Sequence, residues 1–152
     1  MYATTTSKKL FCLLTTAFLI GCGGKVDRAA AQKLSDAFIA DWIAHSPDAA
    51  FDSMEPAFQK MVSRAEFKAQ MEKLSQYCGW PKDSELKDIF TGRKIYTDGH
   101  TSPTLKFLYA ANTDQFAKGQ CYFAVEIVPG DQGGVRVTSF GPMRVTSGNP
   151  YP

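Results

Sequence analysis

Over residues 27–45 the apolar side chains return every three to four positions. Leu34, Phe38 and Trp42 fall at i, i+4 and i+8, Ala30 and Ala31 lie one turn earlier, and Ile39 and Ile43 widen the stripe. That period predicts an amphipathic helix whose apolar face needs a large partner. Ser46-Pro47-Asp48 then reads as a fresh start: Ser46 at the N-cap, Pro47 at the first helical position, and Asp48 favourable in the first turn, with a short helix through about residue 54. Glu55-Pro56 breaks the line again, since a proline pushes the residue before it out of helical dihedrals and itself suits a helix start. Phe58, Met61 and Val62 supply a brief apolar face behind it.

Ser63-Arg64-Ala65-Glu66 is a capping box, in which each of Ser63 and Glu66 satisfies a backbone amide of the other. Phe67, Met71, Leu74 and Cys78 hold one face over the following turns. Gly79 is placed for a left-handed C-terminal cap, and Pro81 prevents the helix from resuming.

Beyond residue 82 the period changes from helical to alternating. Residues 84–96 predict a first strand, with Leu86, Ile89, Phe90, Ile95 and Tyr96 out of phase unless a bulge at Gly92 repairs the register. Residues 98–103 read as a turn. Leu105, Phe107, Tyr109 and Ala111 then share one side of a second strand, and Lys106, Leu108 and Ala110 the other. After a loop over residues 112–119, Cys121, Phe123, Val125 and Ile127 alternate with Gln120, Tyr122, Ala124 and Glu126. A loose turn over residues 129–134 leads to a last strand, where Val135, Val137 and Ser139 oppose Arg136, Thr138 and Phe140. Helices followed by strands predict an α+β fold, with N-terminal helices packed on one face of a curved antiparallel sheet.

The chain before the first helix has a different character. Residues 10–20 carry no charge and follow the pair Lys8 and Lys9. The run is far shorter than the roughly 20 residues that span a bilayer, and so reads as the apolar region of an export signal. Leu19, Ile20, Gly21 and Cys22 resemble the lipobox of bacterial lipoproteins; an ordinary cleaved signal with a chance cysteine is the other reading. The resemblance implies acylation of Cys22 and removal of residues 1–21. It also implies a tether over residues 22–26; the length that remains suits one domain, over residues 27–146, and the turn formers after it a loose tail over residues 147–152. Two or three acyl chains anchor stably where one does not, so the bilayer becomes a partner through Cys22. Gly rather than Asp at position 23 implies, by the same resemblance, the outer membrane, facing the periplasm.

Charge changes the picture only by exclusion. The whole chain has 17 basic and 15 acidic residues, and loss of Lys8 and Lys9 with the signal balances them, so nucleic acid is not implied as a partner. With Cys12 lost and Cys22 acylated, Cys78 and Cys121 remain of the 4 cysteines. An oxidising envelope makes a disulfide between them the default, worth ~4 kcal/mol by chain entropy. Two thiols without paired histidines make the rival metal site a poor ligand set, and neither a metal nor a cofactor is expected.

The opening helix with Phe38 and Trp42, the short helices around Phe51 and Phe58, the capped helix over residues 63–79, and Phe116-Ala117-Lys118-Gly119 leading into Phe123-Ala124-Val125-Glu126 together resemble the nuclear-transport-factor-like fold. That fold is also called ketosteroid-isomerase-like or cystatin-like, and the resemblance is to its small secreted bacterial domains of unknown function. It implies a cone-shaped sheet, and enzymes on the fold place Asp, His or Tyr inside the cone. The corresponding candidates are Asp41, His45, Asp98, His100 and Glu126, for each of which a structural or solvated role is the bland alternative. Trp80, outside the helical period, and Tyr122 and Phe140, on the sheet face opposite Cys121, are the candidate binding residues. The expectation is a membrane-anchored, non-catalytic binding module that meets an envelope protein or a second copy of itself. An inhibitor or immunity protein against a cell-wall hydrolase, and a cone-pocket enzyme, stand as alternatives.

Overall fold

The computed structural model describes residues 25–144. The lipobox, its Cys22 and the tail over residues 147–152 lie outside the described residues. Four α-helices come first: α1 (Arg28–Ile43), α2 (Pro47–Asp52), α3 (Pro56–Met61) and α4 (Arg64–Cys78). Four strands follow, β1 (Pro81–Ile95), β2 (Thr101–Thr113), β3 (Cys121–Pro129) and β4 (Val135–Arg144). They form one antiparallel sheet in the order β1-β2-β3-β4. The fold is α+β, with the helices on one face of a curved sheet.

Local chemistry starts the helices. The Asp27 carboxylate accepts the amides of Ala29 and Ala30 at 3.0 and 3.2 Å. The Ser63–Glu66 capping box is formed in both directions at the head of α4, which satisfies amides that otherwise have no partner in the first turn. Ser46 holds the N-cap position of α2, yet its hydroxyl makes no capping bond. Its backbone is taken up by the end of α1, where its amide donates to the Asp41 carbonyl at 2.8 Å. The residue between, His45, adopts φ 55°, a left-handed position that glycine more often fills. Gly79 ends α4 with φ 80° and ψ 171°, outside the left-handed helical region and open only to glycine. An added Cβ there would meet Asp114 Oδ1 and come 2.8 Å from Thr113 Oγ1.

The core lies between the helices and one row of each strand. Phe38 and Trp42 of α1, Phe67 and Met71 of α4, Phe107 of β2 and Phe123 of β3 are buried together. The Trp42 ring stands edge-on to Phe123 at 4.9 Å, and its indole N–H donates to Ser75 Oγ at 3.1 Å, so the largest buried side chain is also paired. Val26, read from sequence as part of the tether, packs against this core. Met61, read as part of an apolar face, is 77% exposed because the six-residue α3 turns Phe58 inward and the extended Val62 after it packs on the core in its place. Cys78 at the end of α4 and Cys121 at the start of β3 are joined as a disulfide, Cα to Cα 6.0 Å, both fully buried.

Register is where sequence and structure part. No bulge falls at Gly92, which pairs directly with Thr104; the β1–β2 shifts lie between Pro81 and Asp83 and between Leu86 and Asp88. Gly92 is there for close approach, since a Cβ would stand 2.9 Å from Thr104 Oγ1. Thr101, Ser102 and Pro103 belong to β2, not to a turn. Pro103 is tolerated because β3 pairs with β2 only from Leu105 onward, so no neighbour needs the missing amide hydrogen. In β4, Glu126 pairs with Ser139 and Ile127 with Val137, leaving Thr138 as the extra residue. That single residue reverses the alternation.

Exposed charges tie the first half of β1 to the β2–β3 connection. Glu85 meets the Lys118 and Lys87 ammonium groups, each at 2.7 Å. The Lys118 hydrogen bond first, and that of Lys87 next, hold its carboxyl down at about 2 from the ordinary 4.5. A group lowered on folding contributes stability above its unfolded value and loses it as pH falls through the folded one. Carboxyl-detected NMR titration should therefore find Glu85 ionised down to a pH of about 2. Lys118→Ala should move it back toward the ordinary value; an unchanged midpoint would remove Lys118 as the cause.

Candidate functional site

Glu55 is positioned by the proline that follows it. Pro56 opens α3, and Glu55 before it is extended at φ −62°, ψ 147°. Its amide donates to the Val137 carbonyl at 2.8 Å, and the Val137 amide donates to Ser53 O at 2.9 Å. The link between α2 and α3 thus runs along the free edge of β4, as a single parallel bridge between Met54 and Val137. This carries the side chain of Glu55, a buried residue, against the bulged Thr138.

Three donors then converge on that carboxylate. Thr138 Oγ1 donates to Oε1 at 2.7 Å, and Tyr96 Oη donates to Oε2 at 3.1 Å. The Lys94 ammonium, from the far end of β1, pairs with Oε1 and with the Thr138 hydroxyl. It also lies 4.5 Å from the centre of the Tyr96 ring, a favourable cation–π distance. Burial first, then the Glu55 charge and hydrogen bond, push the Tyr96 phenol up to about 12, so it remains a donor at neutral pH.

The tip of the β1–β2 hairpin is ordered by the same residues. The Tyr96 amide donates to His100 O at 2.9 Å and the Gly99 amide to Tyr96 O at 2.9 Å. Asp98 Oδ1 accepts the His100 amide at 3.1 Å and lies 2.5 Å from His100 Nδ1. These two contacts, the amide first, hold the Asp98 carboxyl below its ordinary range. The His100 and Tyr96 rings stack at 4.1 Å with 10° between their planes. Together with Lys60 of α3, Asp131 of the β3–β4 turn and Arg136 of β4, they line an open cleft of about 500 Å³. The Arg136 stem crosses Gly130, where a Cβ would come within 3.2 Å of Arg136 Cγ.

The residues singled out by sequence fare unevenly. His100 lines the cleft, and Asp98 contacts it from the hairpin tip. Asp41 is half-buried at the end of α1, its carboxyl raised by that burial. His45 stacks on Trp80 with ring centres 4.1 Å apart, and Glu126 accepts from Ser139 Oγ at 2.8 Å. Among the described residues no hydrogen bond or ion pair joins Asp41, His45 and Glu126 to one another. Tyr109, inside the cone, donates to Ser35 and Asp36 at 2.9 and 2.7 Å, and its phenol is raised mainly by burial.

The three binding candidates are not brought together. Trp80 is half-buried against the core and His45. Phe140, expected on the outer face, points inward: the bulge at Thr138 turns it to within 5.1–5.3 Å of Phe38, Trp42 and Phe67. Tyr122 keeps the outer face, half-buried, but its apolar neighbours Leu108, Ala110 and Val128 are 0–2% exposed and present no open patch. Sequence reasoning missed Glu55, Lys94, Tyr96 and Arg136. Glu55 and Lys94 are 39 residues apart, so no local spacing announces the pair; only the Glu-Pro break marked Glu55 at all.

Among the described residues no group of three or more His, Cys, Asp and Glu side chains is arranged to hold a metal ion. No described helix is long and apolar enough to cross a membrane. No protein-family model matches the chain, and no curated protein matches it. The solved structure of ActVI-ORFA from Streptomyces coelicolor is similar to it at 11% identity and a TM-score of 0.42, over 80% of this chain and 96% of that one.

Proposed function

We propose that this chain is a lipid-anchored protein of the bacterial cell envelope that binds rather than catalyses, with the cleft beside Glu55 as its binding surface. One observation carries the binding role. Inside the cone, Phe38, Trp42, Phe67, Phe107 and Phe123 fill the volume between helices and sheet, where enzymes on such a fold need open space. At the surface, both oxygens of Glu55 are already held by Lys94, Thr138 and Tyr96. A carboxylate held at both oxygens by three donors acts as a fixed structural anion.

The anchoring half of the proposal rests on the lipobox, and the disulfide suits an oxidising compartment. The partner is an envelope protein or a second copy of this chain, reached close to the bilayer because few residues separate Cys22 from the packed Val26. Two readouts test it together. Labelled palmitate should enter the wild-type chain and not Cys22→Ala, and cross-linked capture should recover one envelope protein, or a dimer, from the anchored form alone. Equal labelling of both forms would overturn the anchor; identical capture profiles from both would remove its role in binding.

A further inference from the structure

We infer that the cleft beside Glu55 takes an acidic sugar: a hydroxylated ring carrying one carboxylate. The inference deepens the binding role proposed for that cleft and depends on it. Four features of the lining converge on this ligand class.

The first is charge. The Glu55 carboxylate is consumed by Lys94. Of the remaining ionic groups in the lining, Lys60 and Arg136 are cations and Asp131 an anion, and none of them enters an ion pair among the described residues. The uncommitted balance is therefore one positive charge, which suits a single anionic group. The second is geometry: the Arg136 stem is laid across Gly130, and its guanidinium makes only a long 3.5 Å contact to the Asp52 carbonyl. Its planar fork remains able to grip a carboxylate through two parallel hydrogen bonds.

The third is the ring platform. His100 is largely exposed, its side chain at 59%, and its ring is held flat on Tyr96. The electron-rich face of such a stack attracts the C–H edges of a pyranose as it does other positive edges. The fourth is the hydroxyl chemistry between platform and cations, where Thr101 and Ser102 donate or accept and the Asp131 carboxylate accepts. A purely apolar ligand would bury these groups unpaired, and a bare inorganic anion would leave the platform unused. The cleft's volume of about 500 Å³ accommodates a ligand of this size.

The test is NMR titration of the isotopically labelled full chain in detergent with three probes: sodium glucuronate, glucose and sodium acetate. Glucuronate should shift the amides of Tyr96, His100, Thr101, Ser102 and Arg136 and bind about tenfold more tightly than either other probe. Arg136→Gln should weaken glucuronate about tenfold at an unchanged melting temperature. His100→Ala should weaken glucuronate and leave acetate unaffected, which a merely structural histidine would not do. Glucose binding as tightly as glucuronate overturns the anionic part, and acetate binding as tightly overturns the sugar part. No shift at the cleft with any probe overturns the inference entirely. Anchored capture run on the same preparation separates that failure from failure of the binding role: a captured partner without a glucuronate shift leaves the module standing and removes the sugar.

Discussion

Replacing Cys78 and Cys121 together by alanine should destabilise the domain by about 4 kcal/mol and lower its melting temperature by about 14 °C. The link spans a sequence separation of 43, and freeing a loop of that length returns conformational entropy to the unfolded chain. Its placement adds to the effect. Cys78 is the last residue of the helix that packs on β4, and Cys121 the first of β3, so the link staples the helical layer to the sheet. Both are fully buried, and two alanines leave space that the surrounding core must close around or leave empty. Denaturant unfolding of the double variant beside the wild type measures the loss. Alkylation under native oxidation, with and without reductant, checks the premise: two added alkyl groups only after reduction are expected. A variant melting within about 3 °C of the wild type would show that native packing, not the cross-link, carries the stability.

The second large effect is expected at Lys94. Changing it to methionine should cost about 3 kcal/mol, because it leaves the Glu55 carboxylate with hydroxyl donors alone in a nearly closed site. The Glu55 side chain is 10% exposed and that of Lys94 27%; the partial exposure of lysine keeps the cost at the lower end of that for a broken buried pair. The companion variant decides the cause. Adding Glu55→Leu to Lys94→Met removes the orphaned charge, and more than half of the loss should return, since an ion pair replaced as a unit by apolar groups is often near neutral. Urea melts of the two single variants and the double variant form the cycle. If the double variant loses the sum of the two single losses, Glu55 and Lys94 are not coupled, and the hairpin is held over α3 by something else.

That second pair also marks how far this chain is legible from its residues. The capping box at Ser63, the proline start of α3 and the amphipathic stripe of α1 are legible because each is written within a few residues. Hydrogen-bond partners three apart and apolar positions four apart are local facts, and the backbone obeys them wherever the segment lies. The α+β class followed from the change of period after α4. The inward row of β2, Leu105, Phe107, Tyr109 and Ala111, follows from alternation alone and is buried as a set.

Local pattern and structure part where one residue shifts a whole strand. Alternation sends Phe140 outward, and only pairing with β3 shows that Thr138 is bulged and Phe140 turned into the aromatic core. At Gly92 the same reasoning expects a bulge where the strand runs straight, because a glycine kept for close approach looks identical in sequence to one kept for a break. Met61 failed for a different reason: a helix of six residues has too little surface to bury every apolar side chain it carries.

The candidate site lies beyond local reading altogether. Asp98 and His100 are neighbours in sequence and form their contact as neighbours, so their pairing, though not its use, is visible in the turn. Glu55, Lys94 and Thr138 come from a helix junction and two strands at opposite edges of the sheet, and each looks like a solvated polar residue in its own segment. By itself, the sequence determined the helices, the Ser63–Glu66 capping box and the fold class, because periodicity and capping are short-range consequences of backbone geometry. Which faces meet, where register slips, and which charges neutralise one another were decided only by tertiary structure. There, curvature brings the end of β1 to the edge of β4, and desolvation makes a paired carboxylate out of an ordinary glutamate.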